Sequence, residues 1–464
     1  MDYQIPEEIP HEVFRTYDIR GEAGDIGITP DVAYAIGLAI GSEARDRGIT
    51  SLVVGRDSRL TGPTIKAAMV AGLLETGCDL IDVGTVPTPL VYFATNRLST
   101  NSGVMVTASH NPASHNGFKI VLDGMTLSTE GVQALYQRII DRNFVTGKGC
   151  VTSADIVTDY INFIAAQIKM KKPLKVVVDC GNGIAGELVP KLYRALGCEV
   201  IEMYCEVDGR FPNHHPDPTV LDNLKDIIAT VKKEKADIGL AFDGDADRLG
   251  VITNAGEVIW PDRQMMLYAI DVLSRNPGAD IVFDVKCTNH LPKVISAHGG
   301  NPIMYRTGHS VLKAKMIEVG AVLAGEMSGH IFFKEDWFGF DDGIYVGARL
   351  LRILSNDDRT SSEVFAALPN SVNTPELKLP MAEDKKAHFM QRLLTEASFD
   401  DAERITIDGL RVEFKEGWGL VRASNTSPYL ILRFEADTSE QLDHIKSLFR
   451  QQLLSLDAAL DLPF

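Results

Sequence analysis

The chain has 464 residues, 45% hydrophobic and 23% charged, and its 63 acidic against 46 basic side chains leave a formal charge of −17. That length exceeds one ordinary core and predicts three or four domains of a globular enzyme, while the acidic balance excludes a broad basic face for nucleic acid. No apolar stretch is long enough for a bilayer, no hydrophobic leader opens the chain, and the six cysteines form neither a C-x-x-C pair nor a zinc spacing; a cytoplasmic chain without membrane partners, its thiols free, is expected.

Three segments then repeat one order of elements. In residues 1–153, Ser51-Leu-Val-Val-Gly-Arg-Asp57 reads as a buried strand followed by a helix start, Asp79-Leu-Ile-Asp-Val83 as a second strand and Gly103-Val-Met-Val106 as a third. The third strand runs into Thr107-Ala-Ser-His-Asn-Pro112. Ser109 there is either a hydroxyl nucleophile or a plain turn serine, since Ser, His, Asn and Pro all favour loops. A Ser-His hydrolase is the weaker enzyme reading: adjacent residues do not easily set a base on their own neighbour, and no G-x-S-x-G elbow occurs.

Residues 154–256 repeat the pattern with Lys175-Val-Val-Val-Asp179, Glu199-Val-Ile-Glu202 and Ile238-Gly-Leu-Ala-Phe242. Gly181-Asn-Gly-Ile-Ala-Gly186 matches the G-x-G-x-x-G of a dinucleotide site, with Glu202 near the distance of a ribose-binding acid. Asp179 and Cys180 separate the strand from the first glycine, however, and the repeat favours a strand–turn–helix junction over an NAD-dependent dehydrogenase. The third strand leads to Asp243-Gly-Asp-Ala-Asp-Arg248. Three carboxylates this close repel one another unless a cation sits among them, and short oxygen ligands left partly open suit Mg²⁺. An EF-hand fails, because Arg248 stands where glycine is needed and Asn254 where glutamate is needed. The bland alternative is a solvated acidic turn.

Residues 257–368 carry Asp280-Ile-Val-Phe-Asp-Val-Lys286, Pro302-Ile-Met-Tyr305 and Ala321-Val-Leu-Ala324, the last leading to Gly325-Glu-Met-Ser-Gly-His330. Glu326, Ser328 and His330 offer a carboxylate, a hydroxyl and an imidazole suited to sugar hydroxyls, or else a helix start with Glu326 in a local network. Gly77-Cys78, Gly197-Cys198 and Gly299-Gly300 mark matching helix ends. Lys119, Lys286 and His309 also follow strand ends or glycine turns. These alternations predict three similar mixed or mostly parallel α/β domains whose special loops all leave carboxyl ends of strands, where open α/β sheets bind ligands.

From about residue 369 the pattern breaks. Thr406-Ile-Asp-Gly-Leu-Arg-Val-Glu-Phe414 alternates like an antiparallel strand, and Gly419–Arg422 and Tyr429–Phe434 flank Ala423-Ser-Asn-Thr-Ser-Pro428. A helix should begin with a capping box of Asp437 and Glu440 and present Leu442, Ile445, Leu448 and Phe449. This predicts a smaller C-terminal α+β domain, 369–464, closing a central cleft. Arg422-Ala-Ser-Asn-Thr426 combines a guanidinium with short polar groups suited to a phosphate dianion, though alone it also reads as a polar hairpin.

In this order, with Phe14-Arg-Thr-Tyr-Asp-Ile-Arg-Gly21 and Asn116-Gly-Phe-Lys119 added, the loops resemble the α-D-phosphohexomutase family over essentially the whole chain. The nearest resemblance is to its bacterial branch acting on mannose and glucose phosphates, the kind that feeds exopolysaccharide synthesis, and Met327 fits that branch better than the phosphoglucosamine branch. The resemblance implies four domains around one cleft, hexose phosphates as small-molecule partners, and action as a monomer. It implies a phosphorylated Ser109 beside Mg²⁺ held by Ser109, Asp243, Asp245 and Asp247, with hexose 1,6-bisphosphate as activator and reorienting intermediate. It further implies that Glu326, Ser328 and His330 face the sugar. Tyr17, Arg422, Ser424, Asn425 and Thr426 hold the idle phosphate, and Lys286, Thr307, Gly308 and His309 line the cleft. Arg20, Lys119, His110 and Arg248 supply charge or protons at the reacting end. A non-catalytic sugar-phosphate sensor would need the cleft but no nucleophile.

Overall fold

The computed structural model describes residues 3–425 and 427–464. Its first three sheets share one topology. Strand Ser51–Arg56 lies between Asp79–Thr85 and Gly103–Val106, parallel to both, and His115–Leu122 adds antiparallel to Gly103–Val106. Lys175–Asp179 lies likewise between Glu199–Met203 and Ile238–Phe242, with Leu249–Thr253 antiparallel beyond. Asp280–Asp284 takes the same place between Asn301–Tyr305 and Leu323–Gly325, with Ile331–Phe333 antiparallel beyond. The expected repeat is therefore present, and each sheet is mixed, as expected, with an antiparallel strand beyond the parallel ones.

This arrangement decides where the three special loops sit. Each joins the third strand to its antiparallel neighbour, so each is the turn of a hairpin at the carboxyl end of a buried parallel strand. The Glu326 loop is accordingly a hairpin turn between Leu323–Gly325 and Ile331–Phe333 rather than a helix start. The glycine run at Gly181 is not a cradle: a Cβ on Gly186 would stand 2.0 Å from the Cys205 carbonyl oxygen, and one on Gly183 would stand 3.0 Å from that of Gly244. A short 3₁₀ turn, Ile184–Glu187, follows it before the helix Val189–Ala195.

Local chemistry explains the boundaries. The first long helix, Pro30–Asp46, starts on Thr29, whose hydroxyl accepts from the Val32 amide at 3.1 Å, with Pro30 at its first position. Gly77, Gly197 and Gly299 take φ values of +82°, +93° and +79° just past helix ends, the left-handed turn that glycine makes without a Cβ penalty. Helix Pro30–Asp46 crosses helix Gly62–Glu75 so closely that a Cβ on Gly37 would stand 2.2 Å from the Met69 carbonyl oxygen.

One apolar core runs through the first three units. Phe93 and Trp337 stack at 5.7 Å, Tyr160 meets Trp337 edge-on at 5.8 Å, and Trp337 lies flat on Tyr345 at 4.1 Å. The fourth unit is a separate antiparallel sheet with helices Glu383–Glu396 and Ser439–Leu456 and its own core. Here the expected strand Thr406–Phe414 is broken. Gly409 turns at φ +81°, separating Glu403–Ile405 from Leu410–Phe414. The capping box of the last helix is made by Thr438 and Gln441, one residue later than predicted. Leu442, Ile445 and Phe449 are buried as expected, whereas Leu448 is half-buried.

The fourth unit docks on the third through two buried arginines around Trp418. Arg411 stacks on its ring at 3.8 Å and donates to the carbonyls of Val285 and Cys287 at 2.6 and 2.8 Å. Arg433 donates to Asp262 at 3.1 Å. No helix among the described residues is long and apolar enough to cross a membrane, and all six cysteines are free.

Candidate active site

Strand Gly103–Val106 is wholly buried and delivers Ser109 to the interior with φ +49°, where its side chain is 1% exposed. The Ser109 hydroxyl lies 2.8 Å from Asp243 Oδ2 and 3.1 Å from His110 Nδ1. A contact between the adjacent Ser and His side chains, which sequence logic disfavoured, is therefore made. Burial, reinforced by Arg248 and Arg20, holds His110 far below the usual histidine range, so it is neutral.

Asp243, Asp245 and Asp247 are each fully buried, and one oxygen from each falls within 4.8 Å of the others. Lys119, from the return strand His115–Leu122, donates to Asp245 Oδ2 at 2.7 Å and to Asp247. Thr88 donates to Asp245 Oδ2 at 2.6 Å. Burial opposes the Lys119 charge, but Asp245 and Asp247 outweigh it and raise its pKa well above the ordinary value. Burial and then Asp247 and Asp245 push Asp243 well up. Burial acts the same way on Asp247, yet Lys119 and His330 bring it down to about 2.

The residues present fit a hard divalent cation. Asp245 Oδ1 and Asp247 Oδ1 are buried without a hydrogen-bond partner among the described residues, and an orphaned buried carboxylate oxygen is costly until something positive faces it. The donor set is all oxygen, which suits Mg²⁺.

Arg248 and His330 join this loop to the third unit. Arg248 Nε donates to His330 Nε2 at 3.1 Å, and Nδ1 of the same ring lies 3.0 Å from Asp341 Oδ2. His309 stacks on His330 at 5.2 Å, and burial drives the His309 pKa down to about 4. Glu326 accepts from the Gly308 amide and from the Ser328 hydroxyl at 2.9 Å, and burial raises its pKa.

The phosphate loop approaches from the fourth unit. Arg422 is 5% exposed; its Nε is held by Asp408 at 3.0 Å, while Nη2 is buried without a partner among the described residues. Asp408 also accepts from the Thr307 amide at 3.0 Å. Tyr17 donates to the Thr307 carbonyl at 2.8 Å and accepts from Asn425 Nδ2. Lys286 donates to Glu376 at 2.6 Å, and Arg20 pairs with Asp18 and donates to Asn111 at 2.9 Å. The Ser424 carbonyl accepts from Lys386 at 2.7 Å. Thr426 lies outside the described residues.

Two linked groups thus emerge. Ser109, His110, Lys119, the three aspartates, Arg248 and His330 form one. Tyr17, Thr307, Gly308, Glu326, Ser328, Asn425 and Arg422 form the other, and stacked His309 and His330 link the two. Sequence reasoning missed Thr88, Asp341, Glu376, Asp408 and the pair Asp57–Arg59 behind the serine loop. Each is a single polar residue in an ordinary setting, and only the burial of a charge without local reason could have flagged it.

Comparison with known proteins agrees along the whole chain. Residues 11–145, 158–256 and 260–372 match the phosphoglucomutase/phosphomannomutase alpha/beta/alpha domains I, II and III, and residues 376–452 match the C-terminal domain of the same family. A phosphomannomutase/phosphoglucomutase of Pseudomonas aeruginosa is 56% identical over 456 residues, 98% of each chain. A phosphoglucomutase of Neisseria meningitidis is 52% identical, covering 95% of this chain and 96% of its own. The crystal structure of a phosphoglucomutase/phosphomannomutase family protein from Burkholderia thailandensis superposes with a TM-score of 0.94 at 48% identity, covering 98% of this chain and 100% of that one.

Proposed function

The chain belongs to the phosphoglucomutase/phosphomannomutase family of α-D-phosphohexomutases, and from that premise we propose how its residues carry out the reaction. It is an isomerase that interconverts hexose 1-phosphates and hexose 6-phosphates. The observation that carries the reading is the Ser109 hydroxyl 2.8 Å from Asp243 inside a buried cluster of three aspartates.

In this reading Ser109 carries the transferable phosphoryl group. The incoming sugar phosphate is gripped by Arg422, Ser424, Asn425, Thr426 and Tyr17, and its hydroxyls meet Glu326, Ser328 and His330. Lys286, Thr307, Gly308 and His309 line the wall between. The free hydroxyl at the far end attacks phosphorus, a phosphorus–oxygen bond to sugar forms, and the bond to Ser109 Oγ breaks. The attacking hydroxyl gives up its proton and Oγ gains one. Neutral His110, 3.1 Å from Oγ, is placed to give or take that second proton. Arg20, Arg248 and Lys119 offset charge on the transferring oxygens, so the work is chiefly position and electrostatics. The bisphosphorylated sugar turns over and returns its other phosphate to Ser109.

Asp243, Asp245, Asp247 and Ser109 would hold Mg²⁺, which when bound supplies the positive charge opposite a phosphoserine. The similarity to proteins named phosphomannomutase/phosphoglucomutase and phosphoglucomutase supports mannose and glucose phosphates over glucosamine phosphate. Initial rates on mannose 1-phosphate, glucose 1-phosphate and glucosamine 1-phosphate, with and without glucose 1,6-bisphosphate, test this. Turnover of the first two, stimulated by the bisphosphate, is expected. Preference for the glucosamine ester, or binding without turnover after priming, contradicts it.

A further inference from the structure

Ser109 sits in a backbone conformation that L residues avoid, at φ +49°, and something must hold it there. Its loop also turns the carbonyls of Ser109, Asn111, Pro112 and His115 toward a single side chain. Arg59 Nη2 donates to Ser109 O and Asn111 O, both at 2.7 Å, and Nη1 donates to Pro112 O and, at 3.0 Å, to His115 O.

The remaining N–H of the guanidinium, Nε, donates to Asp57 Oδ2 at 3.2 Å. All five guanidinium donors are thereby used. The Arg59 side chain is 0% exposed, and Phe211 of the second unit lies over its charge at 5.4 Å. Asp57 reaches the loop from its other side: Thr107 Oγ1 donates to Asp57 Oδ2 at 2.7 Å and accepts from the Ser109 amide at 2.9 Å. The loop is thus clamped at both the amide and the carbonyl of Ser109. The guanidinium occupies the place an inner cation would take among carbonyl oxygens.

We infer that Asp57, Arg59 and Thr107 form a positioning clamp that fixes Ser109 Oγ for phosphoryl uptake and return without touching substrate. This rests on the reading of Ser109 as phosphoryl carrier. A lysine keeps the charge but has three donors on one atom and cannot span four carbonyls. A Thr107→Val change removes only the relay hydroxyl.

The test compares wild type, Arg59→Lys and Thr107→Val after mixing with glucose 1,6-bisphosphate, following phosphate uptake on Ser109 by quenched intact-mass measurement. Calorimetry of glucose 1-phosphate binding to the dephosphorylated proteins accompanies it. A displaced nucleophile should slow uptake about a hundredfold in Arg59→Lys and roughly tenfold in Thr107→Val, with kcat falling in step. Glucose 1-phosphate affinity and KM should stay within about twofold of wild type, the split that separates positioning from binding or folding. Uptake at the wild-type rate in both variants overturns the clamp, as does a loss of kcat matched by an equal loss of substrate affinity. If Arg59→Lys does not fold, Thr107→Val decides alone by the same criteria. If wild type turns over without ever carrying phosphate on Ser109, the carrier reading itself fails and the clamp falls with it.

Discussion

At the scale of residues, the proposal divides the work between two side chains in different units, and each makes its own prediction. Arg422 has one face tied to Asp408 and one donor, Nη2, buried and unanswered among the described residues. A charged hydrogen bond to phosphate is worth about 1.5–3 kcal/mol, so Arg422→Ala should weaken both 1-phosphate and 6-phosphate sugars roughly tenfold to a hundredfold. Kinetics in both directions would show it, and a defect confined to one direction would make this loop an ordinary hairpin. Asp245 shares Lys119 with Asp247, so Asp245→Asn leaves the ammonium one carboxylate partner and should still fold. Its metal-dependent turnover should drop roughly a hundredfold or more, while activity indifferent to both the change and EDTA would remove the metal from this loop. These residues were legible in the sequence because several chemical groups crowd into a few positions. Asp408 and Glu376 were not: each is one carboxylate among many, and its partners, Thr307 or Lys286, lie 101 or 90 residues away.

At the scale of elements, the strand–loop rhythm foretold the three repeated sheets, since buried strands and helix-ending glycines write themselves into hydrophobic pattern. Strand direction does not. Leu249–Thr253 is as apolar as its parallel neighbours, so its antiparallel return, and with it the hairpin nature of the aspartate loop, stayed hidden. The broken strand at Gly409 escaped for a related reason: the alternation on either side ran on in phase across a turn. Tight helix contact was equally invisible. A Cβ on Gly72 would stand 2.3 Å from the Tyr34 carbonyl oxygen, against backbone that cannot step aside. Gly72→Ala should therefore cost about 1–3 kcal/mol of stability through overpacking, seen as a lower Tm with KM unchanged. An unaltered Tm would mean that the two helices separate freely.

At the scale of the whole molecule, the site exists only when distant segments meet. Tyr17 of the first unit donates to Thr307 of the third and accepts from Asn425 of the fourth. Burial pushes its hydroxyl up to about 12, so it remains protonated and can donate at neutral pH. Tyr17→Phe should weaken this closed arrangement by about 1–2 kcal/mol and raise KM about fivefold to thirtyfold. The Trp418 junction, which joins the third and fourth units independently, should keep Tm close to wild type. A large fall in Tm without a change in KM would assign Tyr17 to folding instead.

The central claim is that Ser109 carries the phosphate that passes between the two ends of the sugar. Intact-mass measurement after incubation with glucose 1,6-bisphosphate tests it most directly, with wild type and Ser109→Ala side by side. Wild type should gain one phosphate, mapped to Ser109, and lose it to added hexose phosphate. Ser109→Ala should gain none and turn over orders of magnitude more slowly while still binding hexose phosphate. A phosphate on another residue, or near-normal turnover by Ser109→Ala, would contradict the account.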